Sequence, residues 1–195
     1  EIIVKEVHHR VKNNLNTICS FLNLQSAKST NPETHEALSE ACGRVRSMGI
    51  LYERLSFSEY AGKMRVNEYF PALIRNITEA FGLGEEILIE SVFDESEIKT
   101  KTMFSLGIIV TELVSNSIKY AFSDKKYGKI NIRIYSEKEI FYLLVSDNGC
   151  GIDEAENVSG LGMRLVEMLV QQMDAKMKRS NEGGTNYEIS FVPEP

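Results

Sequence analysis

Residues 5–25 read KEVHHRVKNNLNTICSFLNLQ, and their apolar residues recur at the spacing of one face of a long helix. Alternating steps of four and three residues define a coiled-coil-like seam: Val4, His8, Val11, Leu15, Ile18, Leu22 and Gln25. His8 falls on this seam, whereas His9 lies about 100° further round the helix, toward solvent. A neutral imidazole is a nitrogen nucleophile near neutral pH and needs no metal to attack a phosphoryl group. From this stretch alone, two ordinary helix residues, one buried and one exposed, remain the simpler interpretation.

Length and composition indicate a soluble globular protein with one large domain or two small ones. Of the 195 residues, 43% are hydrophobic and 26% are charged. The net charge of −6 argues against a general nucleic-acid-binding protein, so no nucleic-acid partner is expected. The most apolar stretch, Phe104 to Val114, is too short to cross a bilayer. No signal peptide is visible, and we expect membrane attachment only through a sensor region that is not part of this chain.

The cysteines indicate a reducing compartment. Cys19, Cys42 and Cys150 are odd in number and show no CxxC spacing. Neither a disulfide framework nor a zinc site is therefore predicted. Together with the lack of a visible signal peptide, this pattern favours a cytoplasmic location.

A second helix is predicted after a short turn. Residues 28–32, KSTNP, interrupt the apolar pattern with turn-forming residues. Asn31 or Thr30 can cap the next helix, with Pro32 at its first position. The second seam consists of Leu38, Ala41, Val45, Met48, Tyr52 and Leu55. Two such helices form an antiparallel hairpin about 40 Å long, which cannot enclose a core by itself. We expect a homodimer in which two hairpins form a four-helix bundle, with packing on the rest of the chain as the alternative.

The remaining residues predict a second domain of the α+β class. The heptad pattern is lost between Ser56 and Met64, which divides the chain into a helical hairpin over residues 1–60 and a second domain over residues 66–195. The predicted elements are a helix from a cap at Asn67 to Phe81, a strand at Glu86–Phe93, a helix at Lys99–Phe122, strands at Gly128–Ser136 and Glu139–Ser146, a loop at Asp147–Gly160, a helix at Leu161–Met173, and strands at Asp174–Ser180 and Thr185–Val192. Because strand hairpins alternate with helices, we expect a mixed sheet with helices on one face.

One polar constellation lies on the predicted helix Lys99–Phe122. Its members are spaced to share one helix face: Glu112, Asn116, Lys119 and Tyr120. Asn116 offers an oxygen ligand for Mg²⁺, and Lys119 offers positive charge for a phosphate. Glu112 can take a proton or orient a water molecule. Taken alone, the same pattern is about as typical of a solvated helix face.

A second constellation, Asp147-Asn-Gly149-Cys-Gly151, ends a predicted strand. A carboxylate at this point can accept a hydrogen bond from the exocyclic amine of an adenine. The glycines allow a ligand to approach the backbone closely. An ordinary strand-to-loop turn explains the same residues, because Asn-Gly pairs are common in turns.

Two further glycine motifs precede a helix and a strand. Gly160-Leu-Gly162 opens a helix whose free N–H groups and dipole can bind an anion, although a flexible loop end gives the same pattern. Gly183-Gly-Thr185 precedes the last strand and is also typical of a type I′ or II′ hairpin turn. Each motif is weak evidence by itself.

In combination and in this order, the motifs resemble the catalytic core of a two-component sensor histidine kinase. The stretch EVHHRVKNNL is similar to the phosphoacceptor helix of the second histidine-kinase-A type, close to the HWE group. Residues 66–195 resemble the Bergerat-fold ATPase domain that these kinases share with gyrase and mismatch-repair ATPases. The resemblance covers nearly the whole chain. It implies an α/β sandwich, with ATP and Mg²⁺ as cofactors.

The resemblance also implies roles for individual residues. His9 matches the phosphoacceptor, which directly precedes an arginine in the HWE-like pattern, here Arg10. Asn116 matches the Mg²⁺ ligand, and Glu112 matches the candidate base or water orienter. The other implied ATP-binding positions are Lys119, Tyr120, Asp147, Gly149, Gly151, Gly160, Gly162 and Thr185. Of these, Asp147 is implied to read the adenine, and the segment between Gly151 and Gly160 matches a short ATP lid.

Two features depart from the family pattern. We find no convincing F box, which leaves the packing of the lid undefined. In the commonest histidine kinases an acidic residue follows the acceptor and acts as base, whereas Arg10 follows His9 here. Glu6, one turn earlier on the same helix face, is the nearby acid that could take this role.

The sequence therefore predicts an ATP- and Mg²⁺-dependent protein histidine kinase. It would autophosphorylate His9 and pass the phosphoryl group to an aspartate of a response-regulator receiver domain. A nucleotide-binding dimerisation module without kinase activity is the alternative, although intact Glu112, Asn116 and Asp147 argue against a degenerate domain. A serine kinase of the anti-sigma type would share the ATPase fold, but the histidine-bearing hairpin argues against it.

Overall fold

The computed structural model describes residues 2–32, 34, 35, 37, 38, 41, 42, 45, 62–84, 86–123, 125, 127–152 and 160–193, with side chains from residue 13 onward. The chain divides into two compact units, Glu1–Ala61 and Gly62–Pro195. Each unit is described separately below. Among the described residues, no helix has both the length and the apolar composition needed to cross a membrane.

The first unit contains two antiparallel helical segments. Helix α1 spans Ile2–Lys28, and Pro32 is the first helical residue after the turn, as the sequence predicts. The described positions between Pro32 and Val45 are helical as well: residues 34, 35, 37, 38, 41 and 42. The N–H of His35 donates to the carbonyl oxygen of Asn31 at 3.0 Å, so the first helical hydrogen bond begins at Asn31.

Contacts between the two segments fix their register. The thiol of Cys19 lies 3.5 Å from the carbonyl oxygen of Cys42, and the thiol of Cys42 lies 3.8 Å from the carbonyl oxygen of Cys19. Seven residues further along α1, the hydroxyl of Ser26 donates to the carbonyl oxygen of His35 at 3.3 Å. A later residue of α1, Ser26, contacts an earlier residue of the second segment, His35, than Cys19 does. The two segments therefore run antiparallel.

A second apolar face of α1 stays exposed within the unit. Cys19 and Ser26 are buried against the second segment. The relative solvent exposure is 46% for Ile18, 61% for Phe21 and 62% for Leu24. Ile18 belongs to the predicted seam, so the hairpin leaves part of this seam uncovered. Exposed residues of this size in one stripe are typical of an interaction surface.

The second unit is a mixed sheet with helices. In chain order its elements are β1 (Lys63–Arg65), α2 (Val66–Ala80), β2 (Ile87–Phe93), β3 (Glu97–Lys99), α3 (Thr100–Asn116), a π-helical turn (Ser117–Ala121), β4 (Gly128–Glu137), β5 (Ile140–Asp147), α4 (Leu161–Gln172), β6 (Lys176–Ser180) and β7 (Asn186–Phe191). The main sheet has the order β2-β4-β5-β7-β6. Strands β2 and β4 are parallel and the other neighbours are antiparallel, which confirms the predicted mixed sheet and the α+β class.

One face of this sheet forms the core. Along β5, Phe141, Leu143, Val145 and Asp147 are buried, and the residues between them are less buried. Helix α3 contacts β5, helix α2 contacts β2, and helix α4 contacts α3. The largest side chains with under 2% exposure are Phe70, Ile98, Met103, Leu106, Ile109, Leu113, Ile130, Ile132, Ile134, Leu143 and Ile189. Each such side chain stabilises the fold by roughly 1.5–3 kcal/mol.

The predicted cap of the first helix in this unit is wrong, whereas its end is confirmed. Helix α2 begins at Val66 after an extended Arg65, so Asn67 lies inside its first turn. The N–H of Val66 donates to the carbonyl oxygen of Ser96 at 3.0 Å, which replaces a side-chain cap. At the other end Gly82 has φ +58°, and the N–H of Leu83 donates to Thr78, as in a Schellman motif.

The helix predicted at Lys99–Phe122 is not one continuous α-helix. Helix α3 ends at Asn116, and the chain continues as a π-helical turn over Ser117–Ala121. The wider turn shifts the phase of the residues beyond Asn116 relative to those before it. Glu112 and Asn116 therefore share one helix face as expected, but Lys119 and Tyr120 do not continue that face at α-helical spacing.

Two smaller features also differ from the sequence prediction. Strands β1 and β3 pair in a separate two-stranded sheet that the sequence did not predict, because three residues are too few to show alternation. The hairpin between β4 and β5 turns at Lys138 and Glu139, one residue later than predicted. Both residues have positive φ, 49° and 69°, as in a type I′ turn.

The turn at Lys138 and Glu139 predicts a stabilising substitution. Glu139→Gly removes the strain of a side chain at φ 69°, and we expect a gain of about 0.5–1 kcal/mol in the free energy of unfolding. Urea unfolding followed by circular dichroism measures this change. The control Ser136→Gly lies inside β4 and should destabilise the same unit. If the Glu139→Gly protein is less stable than the wild type, contacts made by the Glu139 side chain outweigh its backbone strain.

Candidate functional site

The carboxylate of Asp147 lies at the end of β5 and is 5% exposed. Its Oδ1 accepts hydrogen bonds from the N–H of Gly149 at 2.9 Å and from the N–H of Thr185 at 3.1 Å. Its Oδ2 accepts a hydrogen bond from the hydroxyl of Ser117 at 2.8 Å. A carboxylate offers about four acceptor positions, so these described bonds use three. A further position on Oδ2 is left for the N–H of a ligand.

The π-helical turn brings the end of α3 against this carboxylate. Ser117 is its first residue and donates to Asp147, as described above. Ala121 is its last residue, and its carbonyl oxygen accepts a hydrogen bond from the N–H of Cys150 at 2.9 Å. A Cβ on Gly149 would lie 2.3 Å from the same carbonyl oxygen, so glycine is required there. These contacts give the turn a structural role in shaping the site.

The turn between β6 and β7 closes the other side of the Asp147 site. Thr185 is buried, and its carbonyl oxygen accepts a hydrogen bond from the N–H of Asp147 at 2.9 Å. Gly184 has φ +130°, and a Cβ there would lie 2.0 Å from the carbonyl oxygen of Asp147. The Gly183-Gly-Thr185 motif is therefore more than a hairpin turn, because its backbone forms a wall of the site.

The four polar residues predicted to share one helix face differ in their burial. Glu112 is 4% exposed and lies in the fully buried middle of α3. Asn116, the last residue of α3, is half-buried. Lys119 and Tyr120 lie in the π-helical turn and are exposed, Tyr120 by 60%. Asn116 thus lies between a buried acid and exposed residues, one position before the serine that contacts Asp147.

The second glycine pair lies at the start of α4. Gly160 is the N-cap residue and is exposed, and as a glycine it has no side chain with which to cap the helix. Gly162 is buried in the first turn. The hydroxyl of Tyr187 on β7 lies 3.8 Å from Sδ of Met163, which ties this turn to the sheet. Burial raises the pKa of Tyr187 above its ordinary value.

Sequence reasoning missed several residues that hold the Asp147 motif in place. Lys125 contacts the carbonyl oxygens of Asn148 and Gly149 with its ammonium group, the second at 3.1 Å. The N–H of Lys129 donates to Oδ1 of Asn148 at 2.8 Å. Ser117 was also missed, although it directly follows Asn116. No periodic pattern could have identified these residues, because their partners lie 19 to 30 positions away in the sequence.

Two predicted features fall partly or wholly outside the described part of the chain. The backbone of His9 lies in α1, but side chains are described only from residue 13 onward. Gly151 and Gly160 are described, whereas residues 153–159 of the predicted lid between them are not. Gly151 has φ +78°, a value that favours glycine.

The arrangement fits a purine nucleotide. The remaining acceptor position on Asp147 suits an exocyclic amine, and Gly149 and Gly184 keep side chains away from the carboxylate. The N-terminus of α4 offers backbone N–H groups to an anion. Among the described residues, no group of three or more His, Cys, Asp or Glu side chains could hold a metal ion.

Two protein-family profiles match the chain. The first is described as "Histidine kinase" and matches residues 6–81. The second is described as "Histidine kinase-, DNA gyrase B-, and HSP90-like ATPase" and matches residues 103–195. The second range contains Glu112, Asn116, Asp147 and Thr185.

Sequence relatives carry the same family name. The chain is 30% identical over 190 residues to the sensor histidine kinase PdtaS of Mycobacterium tuberculosis, covering 94% of this chain and 38% of the relative. It is 29% identical over 196 residues to blue-light-activated histidine kinase 2 of Erythrobacter litoralis, covering 95% of this chain and 55% of the relative. The chain therefore spans between 38% and 55% of the length of these two relatives.

A solved structure matches almost end to end. The histidine kinase domain of the blue-light-activated histidine kinase EL346 from Erythrobacter litoralis superposes with a TM-score of 0.72 at 27% identity. The match covers 97% of this chain and 93% of that domain. Together with the buried Asp147 site and the two family profiles, these similarities show that the chain belongs to the histidine kinase family and that residues 103–195 are its ATPase-type part.

Proposed function

We propose that this chain is the catalytic core of an ATP- and Mg²⁺-dependent protein histidine kinase in two-component signalling. The observation that carries the proposal is the buried Asp147 carboxylate, which three described donors orient while one acceptor position stays available. This position would receive the exocyclic amine of adenine. The N-terminus of α4, with Gly160 and Gly162, would bind the phosphates. When bound, ATP supplies the phosphoryl group for transfer.

The residues of α3 and the π-helical turn would complete the phosphate end of the site. Asn116 would give its amide oxygen to Mg²⁺, which keeps several of its waters. Lys119 and Tyr120 are exposed on the turn, where they would contact the nucleotide. Glu112, which is buried in α3, would take a proton or orient a water molecule. Most of the rate enhancement would come from positioning and charge neutralisation.

His9 would be the phosphoacceptor. Its imidazole nitrogen would form the phosphorus–nitrogen bond as the bond to the leaving diphosphate oxygen breaks, and the ring proton would pass to a base or to water. The phosphohistidine would then donate the phosphoryl group to an aspartate of a response-regulator receiver domain. The match of residues 6–81 to the histidine kinase profile supports this part of the proposal.

A homodimer would provide the partner that the hairpin needs. Ile18, Phe21 and Leu24 form an exposed apolar face on α1, largely on the other side of the helix from the face buried by the second helical segment. In a four-helix bundle each helix buries two such faces, one against its own hairpin and one against the second copy. The exposed face therefore supports dimerisation through α1.

Two other functions have less support. A nucleotide-binding module without kinase activity is not favoured, because the relatives named above are kinases and the Asp147 site is intact. A serine kinase of the anti-sigma type has one observation in its favour: the chain is 26% identical over 147 residues to the anti-sigma F factor of Bacillus licheniformis. That similarity covers 66% of this chain, whereas the histidine kinase profile matches the helical hairpin itself.

The adenine assignment predicts the effect of Asp147→Asn. The amide can keep Oδ1 as acceptor for Gly149 and Thr185, and the hydroxyl of Ser117 can turn to accept from the new NH₂. The fold should therefore survive, while the NH₂ group opposes the adenine amine. We expect ATP affinity, measured by calorimetry, to fall roughly 10- to 100-fold. GTP should be affected less. Unchanged ATP binding would remove the adenine assignment.

The Mg²⁺ assignment predicts the effect of Asn116→Ala. Alanine is tolerated at the last position of α3, so the melting temperature should change little. Without the amide oxygen, Mg²⁺-dependent phosphorylation should be lost, while metal-free nucleotide binding should persist. Ser115→Ala, one position earlier and also half-buried, is the matched control. Full activity in Asn116→Ala would place the metal elsewhere.

The dimer proposal predicts the effect of Phe21→Glu. The new carboxylate would be unpaired in an apolar interface, at a cost of roughly 3–5 kcal/mol. We expect monomers by light scattering, with the second unit still folded by circular dichroism. Asn23→Glu adds the same charge on the other side of α1, where Asn23 is exposed, and should leave the dimer intact. A Phe21→Glu dimer of wild-type stability would show that this face is not the interface.

The acceptor assignment predicts different effects for the two adjacent histidines. His9→Gln should abolish an acid-labile, base-stable phosphoryl label, because the seam spacing directs His9 outward. His8→Gln should change packing and retain part of the label. Mass spectrometry of the labelled peptide identifies the modified residue. A label on His8 alone, in a well-folded dimer, would overturn the assignment.

A further inference from the structure

Asn181 links the turn between β6 and β7 to the chain that leaves the Asp147 motif. Its amide NH₂ donates to the carbonyl oxygen of Ile152 at 2.7 Å. Its Oδ1 accepts a hydrogen bond from the N–H of the same residue at 3.4 Å. The side chain therefore pairs with both backbone polar groups of Ile152, as a neighbouring strand would.

The same turn holds the other end of this segment. Thr185 exchanges hydrogen bonds with Asp147, and Gly184 packs directly on the carbonyl oxygen of Asp147. The segment from Asp147 to Ile152 is thus fixed at its start by Thr185 and at its end by Asn181. Both anchors belong to a single turn of five residues, 181–185.

Gly151, which directly precedes Ile152, has a backbone that can rotate easily. Gly151 has φ +78°, a conformation that glycine adopts freely and leaves freely. A Cβ placed on Gly151 would lie 3.8 Å from the side chain of Asn181, so this side chain lies beside Gly151. The two hydrogen bonds to Ile152 therefore limit the rotation of Gly151.

We infer that Asn181 is a positioning residue for nucleotide binding, acting through Gly151 and Ile152. This inference rests on the proposed ATP site. With Asn181 in place, the backbone from Gly149 to Gly151 is ordered before the nucleotide arrives, and binding does not have to order it. Without Asn181, nucleotide binding must order the segment, which weakens affinity and leaves the chemical step unchanged.

The test measures ATP affinity and turnover separately in Asn181 variants of the full chain. Asn181→Ala should raise the Kd and KM for ATP about tenfold, the effect of losing one to two net hydrogen bonds. The rate at saturating ATP should stay within about twofold of wild type, because no reacting group is changed. Asn181→Gln keeps both polar atoms and should restore part of the affinity. Asn181→Asp should be at least as weak as Asn181→Ala, because its carboxylate opposes the carbonyl oxygen of Ile152.

A matched control separates Asn181 from the rest of the turn. The NH₂ group of Asn186 donates to the carbonyl oxygens of Glu182 and Gly184, so it braces the turn without contacting Ile152. Asn186→Ala should leave the Kd for ATP near the wild-type value. An equal loss of affinity in Asn186→Ala would show that the turn as a whole is responsible, and it would overturn the role of Asn181.

A second measurement does not depend on catalysis. Hydrogen exchange at the amide of Ile152 should be faster in Asn181→Ala than in the wild type, because the acceptor Oδ1 is gone. If the wild type binds ATP and Asn181→Ala binds it with the same Kd, this inference is overturned and the proposed function stays in place. A wild-type protein that binds no ATP would overturn both, so the two failures are distinguishable.

Discussion

The second unit depends on one buried carboxylate at the end of a central strand. Asp147 joins its own strand end, through Gly149, to two segments that are distant in sequence: the π-helical turn through Ser117 and the last hairpin through Thr185. A buried carboxylate is costly unless hydrogen bonds compensate for the lost water. The donors around Asp147 therefore both stabilise the charge and fix the relative positions of these segments. A single side chain shapes the site because it is the point where they meet.

Close backbone contacts make this arrangement rigid. Gly149 faces the carbonyl oxygen of Ala121, and Gly184 faces that of Asp147, both at distances that leave no space for a Cβ. The π-helical turn allows the first contact, because it carries Ala121 to the strand end. The packing of α3 on the sheet offsets the unfavourable free energy of these irregular backbone conformations. Strained or irregular backbone persists where the surrounding structure determines it, and such places are often functional sites.

The helical hairpin shows a different kind of constraint, in which one helix carries both a buried face and an exposed apolar face. The Cys19–Cys42 and Ser26–His35 contacts set an antiparallel register within the unit. Phe21 lies on another face of the same helix and stays exposed. The predicted seam through Ile18 lies between these two faces. In the proposed four-helix bundle, the exposed face would pack on a second helix, while the buried face specifies the hairpin partner.

The sequence by itself determined the elements whose signals are local. The predicted strand Glu139–Ser146 matches β5 to within one residue at each end, and Gly82 marked the end of α2 because its positive φ suits glycine. The order of these elements and their motifs was sufficient to predict the mixed sheet and the family. The tertiary structure alone decided what depends on distant partners. Helix α2 begins at Val66 because Ser96 receives its N–H, and the helix expected to reach Phe122 changes to a π-helical turn at Ser117, the residue that contacts Asp147. Ser117 and Thr185 lie 30 and 38 positions from Asp147, so no local periodicity records that these residues meet.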